Sequence, residues 1–205
     1  MEHKELDKEY YVMSADGANN HPLLAWGKTK FGPFLKAKPV DAEAFDLPLN
    51  IIFDEPYPQN YEMADLHMLA TCNAISKRFK ELLEKFNIYG LQFVPIEIKS
   101  NKGELIQDYY AFHIWNKISA IDKNNYDGDE PDEMMDGLIF SLQRFSLDIN
   151  VINDIALEKR LIFPLLEHDI VVLVHKTIYE AIQASGLTGM KFFRVDDWDE
   201  DAMFR

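Results

Sequence analysis

The feature that most constrains this chain is a change of hydrophobic period within one stretch, residues 76–115. Its first part repeats apolar side chains at helical spacing, whereas its later parts alternate aromatic and β-branched residues with a period of two. The pattern predicts a helix over residues 76–86 with Ser76 as its N-cap, then two strands joined by a turn at residues 100–104. Gly90 is expected to end the helix in a left-handed conformation. The helix and the hairpin must bury their apolar faces in one shared core. The stretch therefore predicts part of the fold and does not indicate a catalytic or binding function.

Other segments extend this mixture of strands and helices. Strands are predicted at residues 10–13, 47–55, 160–167, 169–175 and 190–195. The run 169–175 is almost continuously apolar and is expected to be central, whereas Pro164 favours an edge position or a bulge for its strand. A second helix is predicted to be capped at Thr177 and to end at Gly186.

Two further segments are ambiguous on pattern alone. Residues 61–73 are compatible with a short helix, and residues 117–121 with a third strand of the hairpin sheet. The combined pattern predicts an α+β fold with a mixed, mainly antiparallel sheet flanked by a few helices. The length favours one domain over residues 1–205, with room for a smaller N-terminal lobe over residues 1–65.

The charge of the chain limits its partners. Acidic residues outnumber basic ones by 35 to 21, and the net charge is −14. This balance argues against nucleic acid and against an anionic membrane surface, and it permits a basic protein partner. The sequence has neither a secretory signal pattern nor a long apolar run, so we expect a cytoplasmic protein. Its single cysteine, Cys72, is expected to be an ordinary buried thiol.

Two segments concentrate the negative charge. Residues 122–136 hold seven acids and one lysine, and residues 195–205 hold five acids and one arginine. One explanation is that both segments are solvated and mobile. The alternative is that they bind a partner, with Tyr126 and Trp198 as aromatic anchors. The candidate partner-binding residues are Tyr126, Asp127, Asp129, Glu130, Asp132, Glu133, Asp196, Asp197, Trp198 and Asp199.

No convergent set of catalytic or metal-ligating residues stands out. The six histidines have no histidine or cysteine partner at metal-ligand spacing, and residues 127–138 lack the glycine and final glutamate of an EF-hand. No catalytic residue, metal or cofactor is therefore predicted, and His113 is expected to be a hydrogen-bonded structural histidine. The alternative class is a small hydrolase or nucleotide-binding enzyme that uses His113, Glu97 or the cluster at residues 167–169.

The order of segments resembles a known family. A serine-capped helix at Ser76 leads to the strand Leu-Gln-Phe-Val-Pro-Ile-Glu-Ile and then to paired tyrosines at residues 109–110. Later come an Arg-hydrophobic-Phe-x-Leu pattern from Arg160 and the segment Leu-Thr-Gly-Met-x-Phe at residues 187–192. Over residues 45–195 this order is similar to the immunity proteins of bacterial polymorphic toxin systems, in the family numbered eleven.

The resemblance implies a cytosolic protein without catalysis of its own. Such a protein would bind a cognate toxin domain and block its active site. The acidic balance would suit a toxin that is a basic nuclease, because charge complementarity speeds encounter and favours one partner.

Overall fold

The computed structural model describes residues 4–17, 20–58, 60–135 and 137–204 of the 205-residue chain. The chain divides into two compact units, each built from segments that are distant in sequence. The barrel unit comprises Ala15–Trp115 and Ile182–Met190. The sheet unit comprises Met1–Ser14, Asn116–Ala181 and Lys191–Arg205. The expectation of a single domain, with a smaller lobe over residues 1–65, stays a prediction.

The described chain combines strands with short helices. The strands are β1 (Tyr10–Ala15), β2 (Leu24–Trp26), β3 (Leu49–Phe53), β4 (Leu66–Leu69), β5 (Cys72–Ser76), β6 (Leu91–Lys99), β7 (Leu105–Ile114), β8 (Ile121–Gly128), β9 (Leu142–Leu147), β10 (Ile162–Pro164), β11 (Val172–His175) and β12 (Met190–Arg194). The α-helices are α1 (Lys77–Leu83), α2 (Ile149–Asp154) and α3 (Lys176–Ser185). This confirms the predicted α+β fold with a mixed, mainly antiparallel arrangement. In the described part of the chain, no helix has the length and apolar character needed to cross a membrane.

Six strands of the barrel unit close on themselves in the order β2-β3-β6-β7-β5-β4. The pairs β3–β6 and β2–β4 are parallel, and the other pairs are antiparallel. Successive side chains of a strand face opposite sides, so Ile51 and Phe53 of β3 are buried while Ile52 between them is exposed. The predicted hairpin forms as β6 and β7, in which Phe93 lies opposite Phe112.

Helix α1 begins where the sequence predicts. The Ser76 Oγ accepts a hydrogen bond from the backbone amide of Phe79 at 3.2 Å, which confirms Ser76 as the N-cap. The helix ends at Leu83, three residues earlier than predicted, because a bond from the Phe86 amide to the Leu83 carbonyl tightens the chain into a narrower turn. Gly90 has a left-handed φ of +90° but lies just before β6, so its predicted role as the helix cap is wrong.

The short helix considered for residues 61–73 is wrong. These residues include β4 and the start of β5, which pair antiparallel with Leu66 opposite Ile75. Thr71, with a φ of +79°, lies in the tight turn between the two strands. Both Leu66 and Ile75 are buried. Strand pairing within the closed barrel therefore outweighs the local pattern of this run.

The sheet unit contains a four-stranded sheet in the order β10-β11-β1-β12. Strand β11 is central and β10, which holds Pro164, is at the edge, so both predicted positions are confirmed. The Thr177 amide donates to the His175 Nδ1 at 3.2 Å, so His175 caps α3 and the predicted capping role of Thr177 is wrong. Gly186 follows α3 with a φ of +64°, which confirms the predicted end of this helix.

The third strand considered at residues 117–121 is also wrong. Ile118 makes an isolated parallel bridge to Leu165 rather than joining the hairpin. Strand β8 starts at Ile121 and pairs with β9 in a separate two-stranded sheet. The buried side chains of β9, among them Phe145 and Leu147, anchor this sheet in the core of the sheet unit.

Candidate partner-binding surface

The first acidic segment is a hydrogen-bonded hairpin rather than a loose loop. Strands β8 and β9 place Asp127 opposite Arg144. Beyond the strands, the Asp129 amide donates to the Ser141 carbonyl at 2.9 Å, and the Asp132 amide donates to the Leu138 carbonyl at 2.9 Å. We call residues 127–141 the acidic hairpin. Backbone pairing therefore fixes where its side chains point.

The acids of this hairpin have two different roles. The Asp129 Oδ2 accepts a bond from the Ser141 amide at 3.2 Å, and the Asp132 Oδ1 accepts one from the Met134 amide at 2.8 Å. These two carboxylates shape the turn. The carboxylates of three further acids make no hydrogen bond or ion pair with any other residue that the structure describes: Asp127, Glu130 and Glu133. These three are exposed and available to a partner.

The predicted aromatic residue of this segment, Tyr126, is partly buried. Its ring packs against the core of the sheet unit, and its hydroxyl donates to the Asp129 carbonyl at 3.4 Å. Tyr126 therefore supports the hairpin from the side that packs against the core.

Exposed apolar side chains lie on the same hairpin, and the sequence analysis missed them. Met134 is 95% exposed, and Phe140 is 60% exposed. Met135 is also exposed. Exposed apolar side chains mark an interaction surface when they form a patch rimmed by polar residues. The sequence signal that could have located this surface is the pair of methionines at residues 134 and 135 within an acidic run.

The C-terminal acidic segment differs from the hairpin because arginines pair with three of its five acids. Arg194 donates to the carboxylate of Asp196 and lies 3.2 Å from that of Asp197. The bond to Asp196 raises the pKa of the Arg194 guanidinium. Arg144 lies 3.8 Å from Asp199. These acids carry less free charge than those of the hairpin.

Trp198 belongs to the core of the sheet unit. Its side chain is 1% exposed, and its ring meets that of Phe145 edge to face, with centroids 5.2 Å apart. The role of Trp198 as an aromatic anchor stays a prediction, and this burial argues against it. The candidate surface is therefore the acidic hairpin.

Charge is distributed unequally between the two units. The sheet unit contains 22 acidic and 11 basic residues, a net charge of −11. The barrel unit contains 13 and 10, a net charge of −3. The acidic hairpin thus belongs to the unit that produces most of the negative field.

Three of the residues named for the enzymatic alternative, His113, Glu167 and Asp169, are engaged in structural contacts. His113 is 2% exposed, with its Nε2 2.9 Å from the Lys38 carbonyl oxygen, so it is hydrogen-bonded as predicted. Glu167 accepts a bond from the Ser119 hydroxyl at 2.6 Å. Asp169 pairs with Lys117 at 2.8 Å. Among the residues described, no group of His, Cys, Asp and Glu side chains is arranged to hold a metal ion.

The barrel unit has a cavity of about 210 Å³, lined in part by His21, His67 and Met68. The His67 Nε2 accepts a bond from the Ala64 amide at 2.9 Å, so its Nδ1 carries the proton and donates to the Pro22 carbonyl at 3.2 Å. Burial lowers the pKa of His67 to about 4. The ring is neutral and fully bonded, which makes it a structural group of the cavity wall.

Cys72 is also unsuited to nucleophilic chemistry. Burial raises the pKa of its thiol to about 12, so the reactive thiolate is scarce at neutral pH. Cys72 is partly buried, so it is an ordinary thiol as expected but is less buried than predicted.

The sequence matches a known family over almost its whole length. Residues 6–197 match the model of the immunity protein family Imm11. The chain belongs to this family. No curated protein matches the chain significantly. The match includes the acidic hairpin and confirms the resemblance found in the sequence. The protein is thus an immunity protein by family, a class whose description points to toxin neutralisation.

In this immunity protein the Leu-Thr-Gly-Met segment that carries the resemblance has a structural role. The buried carboxylate of Asp65 accepts bonds from the Ser76 hydroxyl at 2.5 Å and from the Thr188 amide at 3.0 Å. The amides of Asp65 and Leu66 in turn donate to the Thr188 carbonyl. The next residue is Gly189, at a position where a Cβ atom would overlap the Leu66 carbonyl oxygen. The segment therefore links the cap of α1 to the start of β4.

Proposed function

We propose that this immunity protein acts in the cytoplasm by binding a cognate toxin domain and blocking its active site, without catalysis of its own. The observation that carries the proposal is the acidic hairpin, where unpaired carboxylates stand beside exposed apolar side chains on a hydrogen-bonded frame. Family membership supports the neutralising role.

The charge of the hairpin supports a basic toxin surface as the target. Asp127, Glu130 and Glu133 have no cationic partner among the residues that the structure describes. A basic active-site groove, such as that of a nuclease, would supply such partners. Opposite charges on the two proteins speed diffusional encounter and disfavour wrong partners.

The apolar side chains support a buried anchor at the centre of the contact. Met134 is unbranched and flexible, so it can fill an irregular pocket on a partner. Phe140 adds a rigid ring on the same hairpin. Interfaces commonly draw most of their energy from a few such side chains surrounded by polar groups.

Co-expression tests the neutralising function. The toxin domain encoded beside this chain should arrest growth when produced alone, and simultaneous production of the immunity protein should restore it. A catalytically inactive toxin domain should still bind the purified protein. If growth is not restored and no complex forms, the proposed function is wrong.

Charge variants test the hairpin as the contact. The triple variant Asp127→Asn, Glu130→Gln, Glu133→Gln should slow toxin association about tenfold at low salt and flatten its salt dependence. The matched control is Glu43→Gln, Asp46→Asn, Glu81→Gln, which removes three exposed acids from the barrel unit. It changes the net charge equally and should leave the association rate near that of the wild type. Equal rates for the two triple variants would show that the hairpin is not the contact.

A further inference from the structure

The barrel unit carries a second exposed surface, with the opposite charge. Residues 27–38, which we call the basic loop, contain four lysines and no acid in a chain of net charge −14. These lysines are Lys28, Lys30, Lys36 and Lys38.

The basic loop is held firmly against the barrel. Phe34 is buried and packs on Trp26, with ring centroids 5.0 Å apart, and on His113. At the start of the loop, the Gly27 amide donates to the Asn50 carbonyl at 3.0 Å, and the Asn50 amide donates to the Thr29 hydroxyl at 3.0 Å. These contacts hold the backbone of the loop in place on the barrel, and its other side chains project from that backbone.

Those other side chains are both cationic and apolar. Phe31 is 43% exposed and Leu35 is 57% exposed. The four lysines are exposed, and none makes an ion pair with the residues that the structure covers. Other lysines of the chain do find carboxylates, as in the pairs Lys80–Glu84 and Lys117–Asp169. The basic loop thus keeps unpaired cations in an acidic protein.

We propose that the basic loop binds the acidic hairpin of a second copy of this chain. The hairpin offers unpaired carboxylates beside Met134 and Phe140, and the loop offers unpaired lysines beside Phe31 and Leu35. Thioether and aromatic groups also attract each other. Nucleic acid is the weaker occupant, because its phosphates would meet the acids that directly follow the loop.

The contact has a defined composition and salt dependence. Each contact joins the basic loop of one copy to the acidic hairpin of another, so the two surfaces that meet are different. The net charge of −14 repels the copies at a distance, but at physiological ionic strength this repulsion is screened beyond about 8 Å. Local pairing at the contact then dominates. Higher salt weakens that pairing, so the association is salt-sensitive.

The proposal uses the same hairpin as the proposed function, so a bound toxin displaces the second copy. Self-association is nevertheless measured without any toxin. Its failure would leave toxin neutralisation untouched, and failed growth rescue would leave self-association untouched.

Complementation between two variants tests the contact. The loop variant carries Lys28→Gln, Lys30→Gln, Lys36→Gln and Lys38→Gln, and the hairpin variant carries Asp127→Asn, Glu130→Gln and Glu133→Gln. Sedimentation velocity should show concentration-dependent association of the wild type that falls when salt is raised to about 0.5 M. Each variant alone should associate at least about tenfold more weakly. An equimolar mixture of the two variants should regain one contact, because the loop variant keeps its hairpin and the hairpin variant keeps its loop.

A matched control separates this contact from general charge effects. The variant Lys77→Gln, Lys85→Gln, Lys99→Gln, Lys102→Gln removes four exposed lysines elsewhere on the barrel unit and should associate like the wild type. The regained contact in the mixture also shows that both test variants are folded. A wild type that stays monomeric at all concentrations overturns the proposal, and so does a mixture that regains no contact.

Discussion

Replacing Gly189 with alanine should destabilise the protein far more than the same change at Gly186. Both glycines have a left-handed backbone, with φ of +88° and +64°, so each alanine carries the steric cost of that region, about 1–2 kcal/mol. At Gly186 an added Cβ meets no atom within 4 Å. At Gly189 it would overlap the Leu66 carbonyl oxygen and lie 2.6 Å from the Cβ of Ala64.

The overlap at Gly189 is with backbone, so a change of rotamer cannot relieve it. The segment must move away from β4, and this movement stretches the bonds from the Asp65 and Leu66 amides to the Thr188 carbonyl, at 3.1 and 3.2 Å. Each such bond contributes about 1 kcal/mol. The expected loss in the free energy of unfolding is therefore about 3–4 kcal/mol for Gly189→Ala and about 1–2 kcal/mol for Gly186→Ala.

Urea unfolding at equilibrium measures both losses. Circular dichroism and tryptophan fluorescence should report the same transition, since a single free energy has meaning only when they do. Equal losses for the two variants would refute the reasoning, because the difference between them is assigned wholly to the contact with β4. A Gly189→Ala protein as stable as the wild type would refute it as well.

Two further predictions concern buried side chains. Burial lowers the pKa of His67 from 6.5 to about 4, so between these values the unfolded chain binds a proton that the folded chain does not. The contribution of neutral His67 to stability is complete above pH 6.5 and is lost as the pH falls, by about 2 kcal/mol at pH 5. The variant His67→Gln should therefore show a smaller change in the free energy of unfolding by urea between pH 6.5 and pH 5. An unchanged dependence on pH would contradict the assignment. Trp198→Ala should lower the free energy of unfolding by about 3–5 kcal/mol, whereas Trp198→Phe should leave toxin affinity unchanged; a large affinity loss in a stable Trp198→Phe protein would restore the anchor role.

Local patterns predicted the parts of the fold that depend on local interactions. The Ser76 cap needs only the Phe79 amide three residues later, and the period of two in β6 and β7 reflects their pairing across a short turn. Residues 61–73 were misread because the strands in this run also pair with strands distant in sequence: β4 pairs with β2, and β5 pairs with β7. Barrel closure leaves little trace in the pattern of any single segment.

The sequence predicts which segments of the candidate site are acidic, but it does not predict which of their acids form ion pairs. Composition located both acidic segments. Whether an acid is free depends on contacts such as that between Arg144 and Asp199, which lie 55 positions apart. The burial of Trp198 depends likewise on packing against Phe145. Exposure of Met134 is a property of the turn, so only the folded hairpin shows it.

Strand β8 pairs with β9 along one side, and in the described structure its other side is the edge of a two-stranded sheet. The pairing is irregular, with register shifts between Ile121 and Tyr126 and again between Asp127 and Gly128. Exposed edges recruit further strands and cause aggregation, which bulges and charged side chains oppose. The charge that would draw a basic partner to the hairpin therefore also protects the protein from strand-to-strand polymerisation through the edge of β8.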